Sequence, residues 1–324
     1  MRNKIFNIQS KEEFTSVTLD VFKYQFKNNK VYRSFCDLLY VHPSDITKIQ
    51  DIPFLPIQFF KSKKVLSSLE EIDEVFTSSG TTGSTTSKHF VTDIDYYKTS
   101  YLKAFSQFYG DIKNYVILAL LPNYLERKGS SLVYMVNDLI QKSENSESGF
   151  YLNNVEDLIQ KLIKLNKNGQ KVILIGVSFA LLDLVEKYQF ELNNTIVMET
   201  GGMKGRRKEL IREELHAILK RGFSVDKIHS EYGMTELLSQ AYSKGNGLFE
   251  TPSWMKVLTR DTEDALTIQE NEKTGGINII DLANYNSCSF IATQDLGKTH
   301  NNGTFEIIGR FDNSDIRGCN LMVL

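Results

Sequence analysis

The sequence predicts an α/β protein in which helices cover a mostly parallel sheet. Three continuous apolar runs, at 115–121, 170–177 and 194–198, suit strands that are buried on both faces. The segments between them, at 155–166 and 179–188, repeat apolar residues with helical spacing. Because strands that alternate with helices along a chain pair in parallel, we expect a parallel sheet with helices on its faces.

The part of the chain before this alternation is predicted to be largely helical. Residues 11 to about 40 carry aromatic and aliphatic side chains at helical spacing, which indicates two amphipathic helices that meet near Asn28 and Asn29. A further helix is expected over 95–108, with its aromatic residues on one side. Between these helices, the two prolines in 52–61 exclude a regular helix, and the apolar residues there are expected to press against the body of the protein.

The C-terminal part of the chain changes from helices to short strands. A helix is expected over 206–221, with a buried face formed by Leu210, Ile211, Leu215, Ile218 and Leu219. After residue 243, the strands 276–281, 289–293 and 303–308 are separated by Gly, Asn and Asp turns. This spacing predicts a small antiparallel sheet or barrel at the C-terminal end.

The composition excludes several classes of protein. With 324 residues, of which 41% are hydrophobic and 24% are charged, the chain can bury a substantial core. Its formal net charge of -2 comes from interspersed acids and bases, which argues against nucleic acid or an acidic membrane surface as a partner. The cysteines Cys36, Cys288 and Cys319 are far apart, so we expect neither a disulfide framework nor a structural zinc site. Without a secretion signal or an apolar run that could cross a bilayer, a cytoplasmic protein is expected.

A stretch at 76–88 is rich in Ser, Thr and Gly, and it follows an apolar run as a loop follows a strand. Gly80 and Gly83 allow backbone angles that turn successive N–H groups toward one ligand, and the hydroxyls donate further hydrogen bonds. The composition favours a polyanion such as a triphosphate, although such clusters are also common as polar surface loops. The stretch differs from the loop of P-loop nucleotide hydrolases because no Lys follows its second Gly.

Two further stretches combine residue types that suit a magnesium nucleotide. In 229–240, Tyr232 offers a flat ring, Thr235 a hydroxyl, and Glu236 a carboxylate of the kind that holds Mg²⁺ against a phosphate. Near the C-terminus, Asp295 follows one predicted strand and Arg310 follows the next. A carboxylate can accept both hydroxyls of a ribose, and a guanidinium can bind phosphate oxygens. Each residue taken alone is also typical of an ordinary turn or a solvated surface.

The order and spacing of these motifs resemble those of the AMP-forming carboxylate ligases, which include acyl-CoA synthetases, luciferases and adenylation domains. The matching stretches are 78–83, 231–236, 293–295 and 309–312. Within that superfamily the chain most resembles the acyl-protein synthetases of bacterial bioluminescence, the LuxE family. The stretches that carry this narrower resemblance are 53–61, which ends in Phe59-Phe60-Lys61, together with 129–132, 199–204 and 316–319.

For the fold, the resemblance implies the large N-terminal domain of an AMP-forming ligase. The chain would be a single truncated ligase core over 1–324, with approximate parts at 1–110 for helices and phosphate loop, 111–242 for the α/β sheet, and 243–324 for the small β part. The mobile C-terminal domain of these ligases, which carries a catalytic Lys, is expected to be absent.

For function, the resemblance implies a two-step reaction with ATP and Mg²⁺ as cofactors. A carboxylate attacks the α-phosphate, pyrophosphate leaves, and the acyl-adenylate gives its acyl group to a thiol of the protein or of a partner. The implied site residues are Ser79, Gly80, Thr81, Thr82 and Gly83 for the β- and γ-phosphates, Thr235 for the α-phosphate, Glu236 for magnesium, Tyr232 with Gly201 and Gly202 for adenine, Asp295 for the ribose hydroxyls, Arg310 for a ribose or phosphate oxygen, and Cys319 as the acyl acceptor.

Two departures from the superfamily pattern affect these assignments. The loop usually continues Gly-x-Pro-Lys, whereas Thr86 stands in the place of that Lys and Lys88, which we keep as a phosphate ligand, follows two residues later. The expected absence of the C-terminal Lys leaves the first step short of a cation. The residues that could replace it are Lys204, Arg206, Arg207 and Lys298.

The leading hypothesis is an AMP-forming ligase that activates a fatty or aryl acid and acylates a cysteine. Its substrate would be a carboxylic acid, and its partner an acyl-accepting reductase or carrier protein. Two alternatives stay open, an acyl- or aryl-CoA ligase and a non-catalytic nucleotide-binding module on a truncated ligase core.

Overall fold

The structure is a computed structural model, and it describes residues 1–78, 85–121, 129–151, 154–201 and 210–311. The helices of this part are α1 Arg2–Ile5, α2 Lys11–Asn28, α3 Lys30–Leu38, α4 Phe59–Ser62, α5 Ile94–Tyr109, α6 Ser131–Lys142, α7 Val155–Lys167, α8 Ser178–Lys187 and α9 Arg212–Phe223. The strands are β1 Leu55–Pro56, β2 Glu74–Thr77, β3 Lys88–Val91, β4 Val116–Leu120, β5 Gly149–Phe150, β6 Val172–Val177, β7 Thr195–Thr200, β8 His229–Tyr232, β9 Ala241–Ser243, β10 Phe249–Glu250, β11 Met255–Arg260, β12 Thr274–Asp281, β13 Phe290–Thr299 and β14 Phe305–Arg310.

Most of these strands form one sheet, in the order β11-β12-β13-β14-β10-β9-β8-β7-β6-β4-β5, with β1 beside β13. Strands β5, β4, β6, β7 and β8 are parallel, whereas the strands from β9 to β14 are antiparallel to their neighbours on the main path. Strands β2 and β3 form a separate antiparallel hairpin. The predicted fold class is confirmed. The C-terminal strands continue the parallel sheet instead of forming a sheet or barrel of their own, because β9 and β10 join β8 to β14.

The apolar runs form the central parallel strands, as predicted. Every residue of β4 and of β6 is buried, which explains why these runs show no alternation of polar and apolar residues. Helices α2, α3, α5, α7 and α8 match the helical periodicity of the sequence. The break between α2 and α3 lies at Asn29, whose side-chain oxygen accepts a hydrogen bond of 3.0 Å from the N–H of Tyr32 and so caps α3.

Three predicted boundaries are wrong. Helix α9 begins at Arg212 and not at residue 206, because the described residues before it, Leu210 and Ile211, are not helical. Ile211 has an extended backbone and is 62% exposed, so it does not belong to the buried face, whereas Leu215 and Leu219 do. Strand β13 is also longer than predicted and extends to Thr299, so Asp295 lies within a strand and not after one. Strand β14 begins at Phe305 and ends at Arg310, so Arg310 likewise belongs to the strand that it was predicted to follow.

The carboxyl ends of the parallel strands meet at one edge of the sheet. Thr200 at the end of β7 pairs with Glu231 in β8, which places Gly201 next to Tyr232. Ligands of parallel α/β sheets bind at this kind of edge. The N-terminal segment is tied to the antiparallel strands, because β1 pairs in parallel with β13. The boundaries of the three approximate parts stay a prediction. In the described part of the chain, no helix is long and apolar enough to cross a membrane.

Replacing Gly222 in α9 by Ala tests the packing of α9 against α8. A Cβ at position 222 would lie 2.3 Å from the Cβ of Val185. Helix propensity alone predicts a stabilisation of about 1 kcal/mol by Ala. The overlap is expected to outweigh it and to lower the free energy of unfolding by about 1–3 kcal/mol, measured by chemical denaturation. Gly149→Ala is the control, because an added Cβ there meets no described atom within 4 Å. A Gly222 variant as stable as the wild type would contradict this packing.

Candidate active site

Three predicted site residues from separate stretches meet through their side chains. The hydroxyl of Tyr232 donates a hydrogen bond of 2.7 Å to Oδ2 of Asp295. The other carboxylate oxygen of Asp295, Oδ1, lies 3.1 Å from Nε of Arg310, the residue opposite it in the pairing of β13 with β14. Asp295 is buried, whereas the Arg310 side chain is 74% exposed and reaches solvent. Burial and the nearby Asp295 carboxylate raise the pKa of Tyr232 well above its usual value, so the phenol keeps its proton and acts as a donor.

The backbone around Asp295 is held by a buried arginine that the sequence analysis did not single out. The N–H of Asp295 donates to Oγ1 of Thr293 at 3.1 Å, and the carbonyl of Thr293 accepts a hydrogen bond of 2.6 Å from Nη2 of Arg260. Nη1 of Arg260 donates to Oδ1 of Asn278 at 2.8 Å. Burial lowers the pKa of Arg260, and the Asp295 carboxylate acts against that shift. Arg260 therefore places a fixed positive charge behind the Asp295 carboxylate.

The segment that carries Glu236 is anchored by Asp281 at the end of β12 and by Asn284 in the turn that follows it. Oδ2 of Asp281 accepts hydrogen bonds from the N–H groups of Leu238 and Ser239, both at 2.9 Å. Asn284 accepts a bond of 3.0 Å from the N–H of Leu238 and donates one of 2.8 Å to the carbonyl of Glu236. Burial raises the pKa of Asp281 to about 6 despite these donors. The backbone at Glu236 is thus fixed from the side of β12.

A buried histidine, His89 in β3, connects the hairpin to Thr235. Its Nδ1 lies 2.9 Å from the carbonyl oxygen of Thr235, and because a carbonyl only accepts, this nitrogen carries the proton. Burial lowers the pKa of His89 to about 4, so the ring is neutral and its Nε2 accepts the hydroxyl of Ser287 at 2.8 Å. The ring of Phe60 packs edge-on against the imidazole at 5.6 Å. These contacts hold the half-buried Thr235 beside the strand that follows the Ser/Thr/Gly-rich stretch.

Glu236 is 5% exposed, and burial raises the pKa of its carboxyl. A hydrogen bond from Ser87 and the charges of Arg310 and Lys61 act against this shift. Within the described ranges no group of three His, Cys, Asp or Glu side chains could hold a metal ion by itself. One carboxylate does fit Mg²⁺ when substrate phosphates supply further oxygens, which is the usual mode of binding for this ion.

A second buried carboxylate, Glu231, lies under the same edge of the sheet. It accepts a hydrogen bond from the hydroxyl of Thr200 in β7. Burial raises the pKa of Glu231 to about 7, the Thr200 hydroxyl acts against the shift, and the charge of Glu199 adds to it. A Cβ at Gly233 would lie 2.5 Å from Oε1 of Glu231, so the carboxylate packs directly against the backbone of the Tyr232 to Glu236 segment.

The remaining predicted residues fall into two groups. Gly201 follows β7 with a φ of +64°, and its carbonyl accepts a hydrogen bond of 2.9 Å from the Ser178 hydroxyl. Lys88 is exposed at the start of β3, and Lys298 forms an ion pair with Glu306 at 3.1 Å. The predicted residues Ser79, Gly80, Thr81, Thr82, Gly83, Gly202, Lys204, Arg206, Arg207 and Cys319 lie outside the described residues.

Sequence reasoning missed the residues that position the site. Asp281 follows the apolar run of β12, and His89 lies between a charged and an apolar residue at the start of β3. A polar residue inside or directly after an apolar run is a signal for a buried hydrogen-bonded group. That signal was present for Asp281 and Arg260, but it does not indicate which backbone groups such a residue contacts.

Comparisons with known proteins find that the chain is similar to ligases. The family model described as "Acyl-protein synthetase, LuxE" matches residues 6–113. A long-chain-fatty-acid–luciferin-component ligase of Aliivibrio fischeri is 22% identical over 340 residues, which cover 97% of this chain and 88% of that protein. The protein of the same name from Vibrio harveyi is 21% identical over 351 residues, with the same coverage. The one from Photorhabdus luminescens is 43% identical over 68 residues, which cover 21% of this chain and 58% of that protein.

Solved structures share the fold. 2-Hydroxyisobutyryl-CoA ligase in the postadenylation state, in complex with 2-HIB-AMP, has a TM-score of 0.68 at 12% identity over 93% of this chain and 68% of that chain. ATP-bound MatB from Rhodopseudomonas palustris has a TM-score of 0.58 at 14% identity over 75% of this chain. The match spans about half of the MatB chain, 49%.

The pH dependence of stability tests the environment of Glu231. Its pKa is raised from 4.5 to about 7 in the fold, so its contribution to stability is present below pH 4.5 and is lost as the pH rises through about 7. Glu231→Gln cannot ionise. Between these pH values, wild type should lose roughly 1–3 kcal/mol of unfolding free energy relative to the variant, as measured by denaturation. Glu213→Gln, at an exposed position of α9, is the control. Parallel pH profiles for wild type and Glu231→Gln would show that Glu231 is not buried as described.

Proposed function

Since the chain is a relative of the LuxE acyl-protein synthetases, enzymes of the ligase class, we propose that it activates a carboxylic acid with ATP. The products of the first step would be acyl-AMP and pyrophosphate, and the acyl group would then pass to a thiol with release of AMP. The names of the relatives support a long-chain fatty acid as the substrate. An acyl-accepting reductase or carrier protein would be the partner.

The observation that carries this proposal is the cluster of Tyr232, Asp295 and Arg310 beside Glu236. The cluster brings a ring, a carboxylate and a guanidinium together at the carboxyl end of β8, where a nucleotide needs them. Asp295 would accept hydrogen bonds from the ribose hydroxyls, and the ring of Tyr232 with the turn at Gly201 would hold the adenine. Arg310, close enough to act on the charge of Glu236, would reach a ribose or phosphate oxygen.

In the first step, an oxygen of the substrate carboxylate forms a bond to the α-phosphorus, and the bond from phosphorus to the bridging oxygen breaks. The electron pair of that bond leaves with pyrophosphate. The hydroxyl of Thr235 would bind the α-phosphate, and its position is fixed by His89 through the Thr235 carbonyl. Glu236 together with phosphate oxygens would hold Mg²⁺, which when bound neutralises phosphate charge. The phosphate-binding roles of Ser79 to Gly83 and the adenine-binding role of Gly202 remain part of the proposal.

Cys319 is the proposed acyl acceptor, and the two described cysteines support this choice. Cys36 and Cys288 are both buried, and burial raises the pKa of Cys36 to about 12 and that of Cys288 further. Only a thiolate is an efficient nucleophile, so neither suits acyl transfer. Cys319 follows Arg310 by nine residues in the sequence. A chain of that length can reach about 30 Å, which is enough to bring the thiol to an acyl-adenylate held beside Arg310.

Glu236→Gln tests the adenylation step. Removing the charge while keeping the shape should lower carboxylate-dependent ATP–pyrophosphate exchange by roughly 10²-fold, because the charge that would bind the metal is lost. Circular dichroism checks that the fold is retained. Glu250→Gln, at an exposed position of β10, is the matched control and should exchange like the wild type. If the Glu236 variant exchanges at the rate of the wild type, Glu236 is not part of the site. If the wild type shows no exchange with any acid, the non-catalytic module would be favoured.

Cys319→Ser tests the second step. After incubation with ATP, magnesium and a labelled fatty acid, we expect wild type to carry a hydroxylamine-sensitive acyl adduct in mass spectra and the variant to carry none. Cys36→Ser is the control, although a variant of a buried residue must first be shown to fold. An adduct of equal amount on the Cys319 variant would exclude this acceptor. If the addition of coenzyme A yields acyl-CoA and the protein no longer carries the adduct, the CoA ligase alternative would be favoured.

A further inference from the structure

The carboxylate of Glu199 in β7 is the centre of a buried polar network, and its side chain is almost fully enclosed. Its Oε1 lies 2.7 Å from Nη1 of Arg212 and 3.5 Å from Nε2 of His216, both in α9. Its Oε2 accepts a hydrogen bond of 3.1 Å from the hydroxyl of Ser178, the first residue of α8. Nη1 of Arg212 also donates to Oγ of Ser230 in β8 at 3.2 Å. One carboxylate therefore connects β7 with α8 and α9, and through Arg212 with β8.

Glu199 is ionised at neutral pH although it is buried. Burial acts to raise its pKa, but the hydrogen bond with His216 and the charge of Arg212 outweigh burial, so the pKa lies below the usual value of 4.5. A buried ion pair is weak evidence for stability, because removing both charges from water can cost more than their attraction returns. A fully connected polar network does hold the groups that it joins in fixed positions. The elements that this network joins meet at the carboxyl edge of the sheet, next to the candidate site.

The first arm of the network reaches the turn at Gly201. The Ser178 hydroxyl has one proton and two acceptors, because Oε2 of Glu199 lies 3.1 Å and the carbonyl oxygen of Gly201 lies 2.9 Å from its Oγ. The carboxylate thus helps to fix the rotamer of Ser178, and Ser178 in turn contacts the Gly201 carbonyl. Gly201 has a φ of +64°, a backbone conformation that glycine adopts without strain. The Glu199 carboxylate therefore acts on the orientation of this turn through one hydroxyl.

The second arm runs from Arg212 to the ring of Tyr232. The Cζ atom of Arg212 lies 5.0 Å from the centroid of the Phe249 ring, where a guanidinium is attracted by the aromatic face. The Phe249 ring packs edge-on against Tyr232, with ring centroids 5.9 Å apart, and stacks on Phe305 at 5.3 Å. Glu199 holds Arg212, Arg212 holds Phe249, and Phe249 limits the positions open to the Tyr232 ring.

We propose that Glu199 is a positioning residue that sets the two walls of the adenine pocket, the Gly201 turn and the Tyr232 ring. This inference rests on the proposed function, which assigns the adenine to these walls. Glu199 itself contacts no nucleotide, and it acts on one wall through Ser178 and on the other through Arg212. A planar base gains full contact only from walls about 3.5–4.0 Å from its faces, so a small shift of either wall loses affinity. Because both walls share one anchor, little order has to be gained when the nucleotide binds.

Ser178→Ala tests the first arm with a small change that leaves every charge in place. ATP affinity in the presence of magnesium, measured by calorimetry, should fall about tenfold, because the hydroxyl between the Glu199 carboxylate and the Gly201 carbonyl is lost. The affinity for inorganic triphosphate should stay at the wild-type value, since this ligand has no adenine. An unchanged ATP affinity would overturn the proposal, and so would an equal fall for inorganic triphosphate, which would indicate a general structural effect.

Ser143→Ala is the matched control. Ser143 is also buried, and its hydroxyl donates to the carbonyl of Ile140 at 2.7 Å and lies 2.8 Å from Oγ of Ser148. It follows α6 and belongs to neither arm of the network. The control variant loses a similar set of hydrogen bonds and should bind both ATP and inorganic triphosphate like the wild type.

A double-variant cycle tests whether Ser178 acts through Glu199. Glu199→Gln removes the charge that holds both arms and should weaken ATP binding more than Ser178→Ala does. Adding Ser178→Ala to Glu199→Gln should then cause little further loss, because the two residues act in one chain of contacts. Losses that multiply would show that the residues act independently and would overturn the proposal. Circular dichroism checks the fold, and if Glu199→Gln does not fold, the Ser178 variant with its control remains the deciding test.

Exchange kinetics separate this proposal from the proposed function. In carboxylate-dependent ATP–pyrophosphate exchange, Ser178→Ala should raise the KM for ATP about tenfold and leave the KM for the acid unchanged. If exchange is active and this variant has the wild-type KM for ATP, the positioning role fails while the ligase function stands. If no acid supports exchange but Ser178→Ala still weakens the binding of ATP and not of inorganic triphosphate, the positioning role stands and the ligase function fails.

Discussion

A buried carboxylate, Asp281, connects the two parts of the sheet between which the candidate site lies. It sits at the end of β12 and accepts hydrogen bonds from the backbone of Leu238 and Ser239, which follow the parallel strand β8. The segment between β8 and β9 has no strand partners of its own, so buried polar groups elsewhere must satisfy its backbone. Asp281 satisfies part of this backbone, and it is itself buried. Burial is unfavourable for its charged form and raises its pKa to about 6. The positions of Thr235 and Glu236 depend on this anchor.

The contacts of Asp295 prepare its carboxylate for a ligand without occupying it fully. Tyr232 and Arg310 each engage one oxygen, and the backbone is fixed through Thr293 and Arg260. An ionised carboxylate offers about four acceptor positions, so two contacts leave room for two ribose hydroxyls. Because the orientation is already set, little side-chain entropy is lost when a nucleotide binds. The same pairs would thus serve both stability and binding.

The residues proposed to contact substrate were chosen from sequence motifs and stay a prediction, whereas the residues that position them gave no such signal. The fold class and the resemblance to the LuxE family are confirmed. Both could be predicted because periodicity and motifs are local signals along the chain. His89, Asp281 and Arg260 gain their roles from partners far away in sequence, and a single buried polar residue does not reveal its partner. The helix predicted over 206–221 begins later than predicted, at Arg212. The apolar spacing includes Ile211, but the backbone of Ile211 is extended. Periodicity indicates which residues suit a helix, and capping and charge decide where it begins.

The positive charges near Glu236 affect how this carboxylate could lie beside a bound nucleotide. Glu236 is buried, and a buried carboxylate next to a polyphosphate adds repulsion of about 4 kcal/mol for each pair of charges at 4 Å in a medium of intermediate polarity. Of the residues that act on Glu236, Arg310 and Lys61 carry positive charge, and Arg310 is also paired with Asp295. Lys61 has no such carboxylate partner in the described part of the chain. Its charge acts on Glu236, and it would offset part of the repulsion between this carboxylate and a bound triphosphate.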